Sequence, residues 1–335
     1  MIPVDDPYGV TRDPVLPELA AALAPSTVEL VLRTALRRRF RALELRAIRV
    51  VRYKPQRRCL VEYDLAVEDL DGRPEQLTAI GKVRSRSYGK SGPRLLAALR
   101  EAGFDDAAAD GISVPEPLGH VASLRMWLQR KVIGVDLGAQ LAGPNGVQLA
   151  RRVADAAAKL HRARVPPERR HLMEDELRIL HDCLPRVVQQ HPEWEARIQA
   201  VLSACVRLGE SLAEPALTGI HRDFYPQQIV LAGDRLYLLD FDLYCSGDPA
   251  LDVGNFIGHL SEHALRVEGN ISALAAVEGA LEDRFCELSG EQLRASVRAY
   301  ALLTLVRHIY LSGILPGRAA VTAALFEHCE ERLLR

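Results

Sequence analysis

His221-Arg222-Asp223-Phe224-Tyr225-Pro226-Gln227-Gln228 is the stretch that decides how this chain reads. An apolar run, Ile229-Val230-Leu231, follows it. Ala232-Gly233-Asp234 then has the composition of a turn, and Leu236-Tyr237-Leu238-Leu239 that of a returning strand. The run ends at Asp240-Phe241-Asp242, and only six residues separate Asp240 from Gly247-Asp248-Pro249. A loop, a short hairpin and a second loop carry Asp223 and Asp240 to one side. Two carboxylates fixed at the ends of a hairpin suit phosphoryl transfer: one orients a hydroxyl nucleophile, and the other holds a divalent metal on nucleotide phosphates.

With these segments the chain resembles the aminoglycoside phosphotransferase and choline kinase-like family of the protein-kinase-like fold. That family carries H-x-D-x-x-x-x-N, a hydrophobic strand, a metal-binding Asp and a Gly-Asp-Pro. His221, Asp223, Asp240 and Gly247-Asp248-Pro249 stand in those places, and Gln228 stands where the family has Asn. The resemblance implies an α+β, two-lobed protein-kinase-like fold, with a small antiparallel-sheet lobe over 1–127 and a larger, mainly helical lobe over 128–335. It implies ATP or GTP with Mg²⁺ as cofactors. The acceptor it implies is a hydroxyl-bearing small molecule: a sugar, amino sugar, aminoglycoside or amino alcohol. Asp223 is then the catalytic base, and Asp240 and Gln228 are the metal ligands. Asp242 is a metal, water or substrate contact. His221 and Arg222 hold the loop.

The first part of the chain fits the small lobe. Pro14 to Leu23 and Val28 to Phe40 read as helices, and the basic cluster Arg37-Arg38-Arg39 with Arg41 reads as a solvated face. Ala47 to Tyr53, Cys59 to Val67 and Gln76 to Val83 read as strands separated by turns at 54–58 and 69–74. In the resemblance the first turn covers the nucleotide phosphates and the third-strand lysine, Lys82, contacts them. The turn at 54–58 has no glycine, the residue that lets backbone N–H groups approach phosphate. Arg57 and Arg58 either supply charge there through their side chains or face solvent. Gly89-Lys90-Ser91 invites a phosphate-loop reading, but Arg84 stands where its leading glycine belongs, so that reading is rejected. Ser91 to Ala102 reads as a helix ended by Gly103. Its only Glu is the terminal Glu101, whereas the family places a lysine-pairing Glu mid-helix. Leu128 to Val132, including Gln129 and Lys131, matches the segment whose backbone meets the adenine edge.

The 335 residues suffice for two cores, and 48% hydrophobic with 26% charged residues is ordinary soluble composition. No apolar run approaches the roughly 20 residues of a membrane span, and Met1 to Asp6 lacks the pattern of a secretion signal. The six cysteines are scattered without a C-x-x-C, which suggests neither a zinc site nor a disulfide framework and points to a reducing cytoplasm. With a net charge of −1 nothing calls for a nucleic acid or a membrane as partner.

Beyond residue 146 the patterning is helical over 146–161, 173–189, 194–212, 253–263, 271–288, 290–313 and 318–334. Asp248 and Asp252 read as helix-start carboxylates of structural value, Asp248 as N-cap and Pro249 at the first helical position. His161 reads as a packing or capping residue. Glu174, Asp175, Glu176 and Glu262 are candidates to line an acceptor pocket. The short link from Asp240 to Gly247 and the lack of an A-P-E motif disfavour a protein kinase. The rival is a catalytically impaired nucleotide-binding module, favoured by the glycine-free turn, Gln228 and the displaced Glu101. Against it, Lys82, Asp223 and Asp240 are all present.

Overall fold

The computed structural model describes residues 1–85 and 91–334, so the Gly89-Lys90 pair lies outside the described residues. The chain divides into two compact units, 1–134 with 232–238, and 135–231 with 239–335.

The first unit is built on a sheet. Strand β1 (Val4–Asp5) runs parallel to β2 (Phe40–Lys54). Then β3 (Arg58–Asp69) and β4 (Pro74–Arg84) follow antiparallel, as the three-strand reading expects. After the two-residue β5 (Ile112–Ser113) come β6 (Pro117–Val121) and β7 (Met126–Arg130), giving the order β1-β2-β3-β4-β7-β6. Strand β2 starts seven residues earlier than its apolar alternation suggests. Register shifts between Phe40 and Ala42, Leu45 and Ala47, and Val50 and Arg52 break the period-two pattern by which a strand is recognised.

Two helices cover this sheet. Helix α1 (Glu18–Ala22) is shorter than expected, because the chain ahead of it, with Pro14 and Pro17, is folded around the Asp13 carboxylate. Helix α2 (Pro25–Leu36) starts on a proline and buries Val28, Leu32 and Leu36. These pack in one core with Leu43, Leu45, Ile48, Val61 and Tyr63 of the sheet. Each fully buried Val or Leu contributes roughly 1.5–3 kcal/mol. Arg37, Arg38, Arg39 and Arg41 are all exposed, as a solvated face expects, and Arg39 also pairs with Glu116 and donates to the Pro117 carbonyl at 2.7 Å, fixing the start of β6. Helix α3 (Ser91–Leu99) runs into one wide π-type turn, Arg100–Phe104, that contains Gly103 at φ 94°.

The second unit opens with β8 (Val135–Asp136) and α4 (Leu137–Leu141). Then come α5 (Gly146–Arg162), α6 (Met173–Gln190) and α7 (Glu195–Glu210). Short strands follow: β9 (Thr218–Ile220), β10 (Ile229–Ala232) and β12 (Cys245–Gly247); between the last two the chain returns to the first unit as β11 (Arg235–Leu238), which pairs there with β5. Four helices close it: α8 (Pro249–Glu268), α9 (Ala275–Ser289), α10 (Arg294–Ile314) and α11 (Thr322–Leu334). Helices α8 and α10 form its centre. A Cβ on Gly254 of α8 would lie 2.6 Å from the Val297 carbonyl, so only glycine allows this approach. All six cysteines are buried free thiols. Among the described residues no helix is long and apolar enough to cross a membrane.

Candidate active site

The two loops of the organising stretch are brought together by a ladder of two short strands. Strand β9 runs into His221 and pairs antiparallel with β12, Ile220 opposite Cys245 and Thr218 opposite Gly247. Gly247 is required by space: a Cβ there would lie 2.4 Å from the Ile220 Cδ1 and 2.8 Å from the His171 carbonyl. Further on, Leu239 is gripped from both sides. Its N–H donates to the Gln228 carbonyl at 2.8 Å, and its carbonyl accepts from His221 Nε2 at 2.7 Å. A carbonyl partner assigns the proton of the neutral ring to Nε2. The ring packs on Phe224 and Phe241, with centroids at 5.7 and 4.7 Å. These contacts tie Asp240, the next residue, to the loop that carries Asp223.

Two residues of these loops sit in the left-handed region, Arg222 at φ 69° and Asp240 at φ 53°. Such a conformation costs a non-glycine residue of order 1–3 kcal/mol and persists only when the surroundings impose it. Asp252 imposes it at Arg222. Its carboxylate is fully buried in the first turn of α8. It accepts the backbone N–H of Arg222 at 2.7 Å, that of His221 at 2.9 Å, and His161 Nε2 at 2.9 Å. Asp248 caps the same helix through the Ala250 N–H at 2.9 Å. Burial raises the Asp248 carboxyl above its ordinary range.

One turn along, Asn255 donates to the Phe224 carbonyl at 2.8 Å and accepts from Arg307 Nη2 at 2.7 Å. Arg307 continues to Glu176 at 3.4 Å, and Glu176 meets His171 Nε2 at 2.6 Å. Burial alone would raise Glu176. The His171 bond and the Arg307 charge outweigh it and hold the carboxyl below its usual range. The loop-holding roles of Asp252 and Asn255, and Arg307 behind them, are not evident from the motifs. The available signal is a polar stripe on α8, Asp248, Asp252, Asn255, His259 and Glu262, at alternating helical spacings of four and three.

Asp223 is half-buried, and its Oδ2 accepts from Gln228 Nε2 at 3.3 Å. The same nitrogen reaches the Tyr225 hydroxyl at 3.1 Å, and Tyr225 stacks on His259 at 4.6 Å. With its nitrogen turned to Asp223, Gln228 keeps its amide oxygen as a hard donor. The Leu239–Gln228 backbone bond places that residue next to Asp240. Among the described residues no group of three His, Cys, Asp or Glu is arranged to hold a metal. Mg²⁺ commonly takes one or two carboxylates alongside phosphates and water, so the donor set of Asp240 and Gln228 fits it. Asp242 is half-buried, and its carbonyl accepts from Arg169 Nη2 at 2.7 Å. Glu262 is buried and ion-paired with Arg266 at 3.0 Å and Arg318 at 3.3 Å.

In the first unit, Lys82 is 8% exposed on β4, opposite Leu60 and Trp127 in the ladders, with its ammonium 4.7 Å from the Trp127 ring. Glu101 is exposed in the wide turn after α3. Gln129 is buried on β7 opposite Ile80. Lys131 pairs with Glu62 at 2.7 Å, and its N–H donates to the Thr78 carbonyl at 2.8 Å. Arg57 is exposed in the β2–β3 turn, and Arg58 opens β3 opposite Arg84.

A search of curated protein sequences finds no match to the chain. Solved structures with a similar fold include a Plasmodium vivax ethanolamine kinase, 11% identical, covering 87% of this chain and 82% of its own, with a TM-score of 0.53. A choline/ethanolamine kinase family protein from Mesorhizobium loti is 14% identical over 95% of this chain and 94% of its own, with a TM-score of 0.52. A thermostable mutant of aminoglycoside phosphotransferase APH(4)-Ia is 17% identical over 91% of this chain and 98% of its own, with a TM-score of 0.55. These likenesses show the fold: α+β and protein-kinase-like, with a small antiparallel-sheet lobe and a larger helical lobe. Residues 86–300, which include both loops and the α8 stripe, match the model of the phosphotransferase enzyme family. The chain therefore belongs to the phosphotransferase enzyme family.

Proposed function

We propose that the protein transfers the γ-phosphate of ATP, or GTP, to a hydroxyl of a small molecule, with Asp223 as the base. The observation that carries this reading is the tie between the loops: Leu239 is bonded to both His221 and Gln228, which keeps Asp240 beside the loop of Asp223. The family membership supports it. Asp223 orients the acceptor hydroxyl and takes its proton as the new O–P bond forms and the bond to the nucleoside diphosphate breaks. The transition state is loose, so positioning matters as much as basicity. Mg²⁺, held by Asp240 and Gln228, would neutralise phosphate charge. Lys82 and the Arg57-Arg58 pair are assigned to the nucleotide phosphates, and the Gln129–Lys131 stretch to the base through its backbone.

For the acceptor, three of the four acidic candidates are already matched: Asp175 is paired with Arg178 and accepts the Leu172 N–H at 2.9 Å. Glu176 is paired with Arg307 and His171, and Glu262 with Arg266 and Arg318. Carboxylates neutralised inside the protein offer little to a polycation, which favours sugars and amino alcohols over aminoglycosides. Glu262 is therefore read as scaffold.

The test is a turnover screen with ATP and Mg²⁺ over sugars, amino sugars, aminoglycosides and amino alcohols, following acceptor-dependent release of ADP. Turnover that disappears in Asp223→Asn supports the reading. Nucleotide binding with no turnover across the panel would replace it with a nucleotide-binding module.

A further inference from the structure

Asp13 belongs to none of the motifs above, yet it is 5% exposed and both its oxygens are occupied. Oδ1 accepts the N–H groups of Val15 at 2.8 Å and Leu16 at 3.1 Å, in the chain just ahead of α1. Oδ2 accepts the Tyr53 hydroxyl and the Gln56 N–H, each at 2.7 Å. Gln56 lies in the exposed turn between β2 and β3, at φ 57°. That left-handed conformation disfavours any residue with a Cβ. Here the bond from Gln56 to a buried carboxylate holds it. The Asp13 bond also pushes the Tyr53 phenol up to about 12.

The turn has three residues between Lys54 and Arg58. Pro55 has no N–H. The N–H of Gln56 goes to Asp13, and that of Arg57 to the Lys54 carbonyl at 3.0 Å. Every backbone donor of the turn is committed within the protein. A glycine-rich turn grips phosphate through such donors, and this turn has none to offer. It presents instead the exposed Arg57 side chain, whose guanidinium suits phosphate oxygens.

We infer that Asp13 is a positioning residue: it locks the β2–β3 turn in a glycine-free form that meets the nucleotide phosphates through Arg57 rather than through backbone N–H groups. This rests on the nucleotide role proposed for Arg57. Asp13 and the turn it holds both lie ahead of residues 86–300, the part matched by the family.

Calorimetric titration of the full chain with AMP-PNP and Mg²⁺, and with adenosine as a phosphate-free probe, tests it. Arg57→Ala and Asp13→Ala should each weaken AMP-PNP about tenfold, the scale of one charge-assisted hydrogen bond, and leave adenosine unchanged. In the Asp13→Ala background, Gln56→Gly should restore most of the lost affinity. Glycine adopts the left-handed conformation unaided, and its N–H is then available to phosphate. A role confined to stability would not produce that rescue. Wild-type affinity for AMP-PNP in Asp13→Ala, or in Arg57→Ala should the first variant not fold, overturns the inference while the kinase reading stands. Failure of the wild-type chain to bind AMP-PNP overturns both.

Discussion

The Asp252 carboxylate accepts the backbone N–H of Arg222 at 2.7 Å, and Arg222 is one of five non-glycine residues held at positive φ among the described residues. A fully buried carboxylate on α8 thus sets the backbone of the loop one residue before Asp223. Removing it leaves the N–H groups of His221 and Arg222, and one nitrogen of His161, without their acceptor. Each such loss costs about 1–3 kcal/mol. Asp252→Ala should therefore lower stability in urea by about 3 kcal/mol and reduce turnover as well. A loss below about 1 kcal/mol would show that the loop holds its shape without this anchor.

Asp223→Asn separates charge from geometry. The substituted side chain retains an oxygen that can accept from Gln228 Nε2, so the contact now measured at 3.3 Å survives. What disappears is the basic carboxylate. Turnover should fall at least about 100-fold, within the range for losing a positioned acid–base group, with AMP-PNP affinity unchanged. Near-normal turnover would take the base assignment away from Asp223.

Much of this arrangement is legible in the sequence because it is local. The turn at Gly233, the strands on either side of it and the helix start at Asp248-Pro249 are each set by residues within a few positions. Three long strands are legible for the same reason, except where the irregular register of β2 hides its first residues. The remainder depends on contacts distant in sequence. Asp13 reaches Gln56 across 43 residues, Asn255 reaches Phe224 across 31, and Arg307 reaches Asn255 across 52. No pattern in Asp13 itself distinguishes a turn-holding carboxylate from a solvated one. The α8 stripe is a middle case. Its spacing is visible, but buried polar groups and a solvated helix face share the same period until the neighbouring helices are in place.

Gln228 carries two tasks, one through each end of its amide. The nitrogen meets Asp223 and Tyr225, and the oxygen is assigned to Mg²⁺. Gln228→Asn keeps the donor types on an arm shorter by one methylene, and Gln228→Ala removes them. Titrating Mg²⁺ at fixed ATP should give an unchanged or lower half-saturating concentration for the first variant. For the second it should rise about tenfold, as expected when one of two protein ligands is lost. Indifference of the Mg²⁺ requirement to Gln228→Ala would leave Asp240 as the sole protein ligand proposed.

His308 of α10 gives the fold a pH dependence of its own. It is 1% exposed, packs edge-on to His259 at 4.5 Å, and neither ring nitrogen has a hydrogen-bond partner among the described residues. Burial lowers its pKa from 6.5 to about 3, and the charges of Arg307, Arg318 and Arg266 act in the same direction. The folded chain therefore keeps this ring neutral where the unfolded chain protonates it. Its stabilising contribution is complete above pH 6.5 and is lost as pH falls from there toward 3. From pH 7 to pH 5 the loss from this one group amounts to about 2 kcal/mol, at 1.36 kcal/mol for each pH unit below 6.5. Urea unfolding at the two pH values should show that much of the wild-type decline missing from His308→Leu. His259, whose proton affinity burial also lowers, leaves part of the slope in place. An identical decline in both proteins would mean that water or another partner reaches the His308 ring and lets it titrate in the folded state.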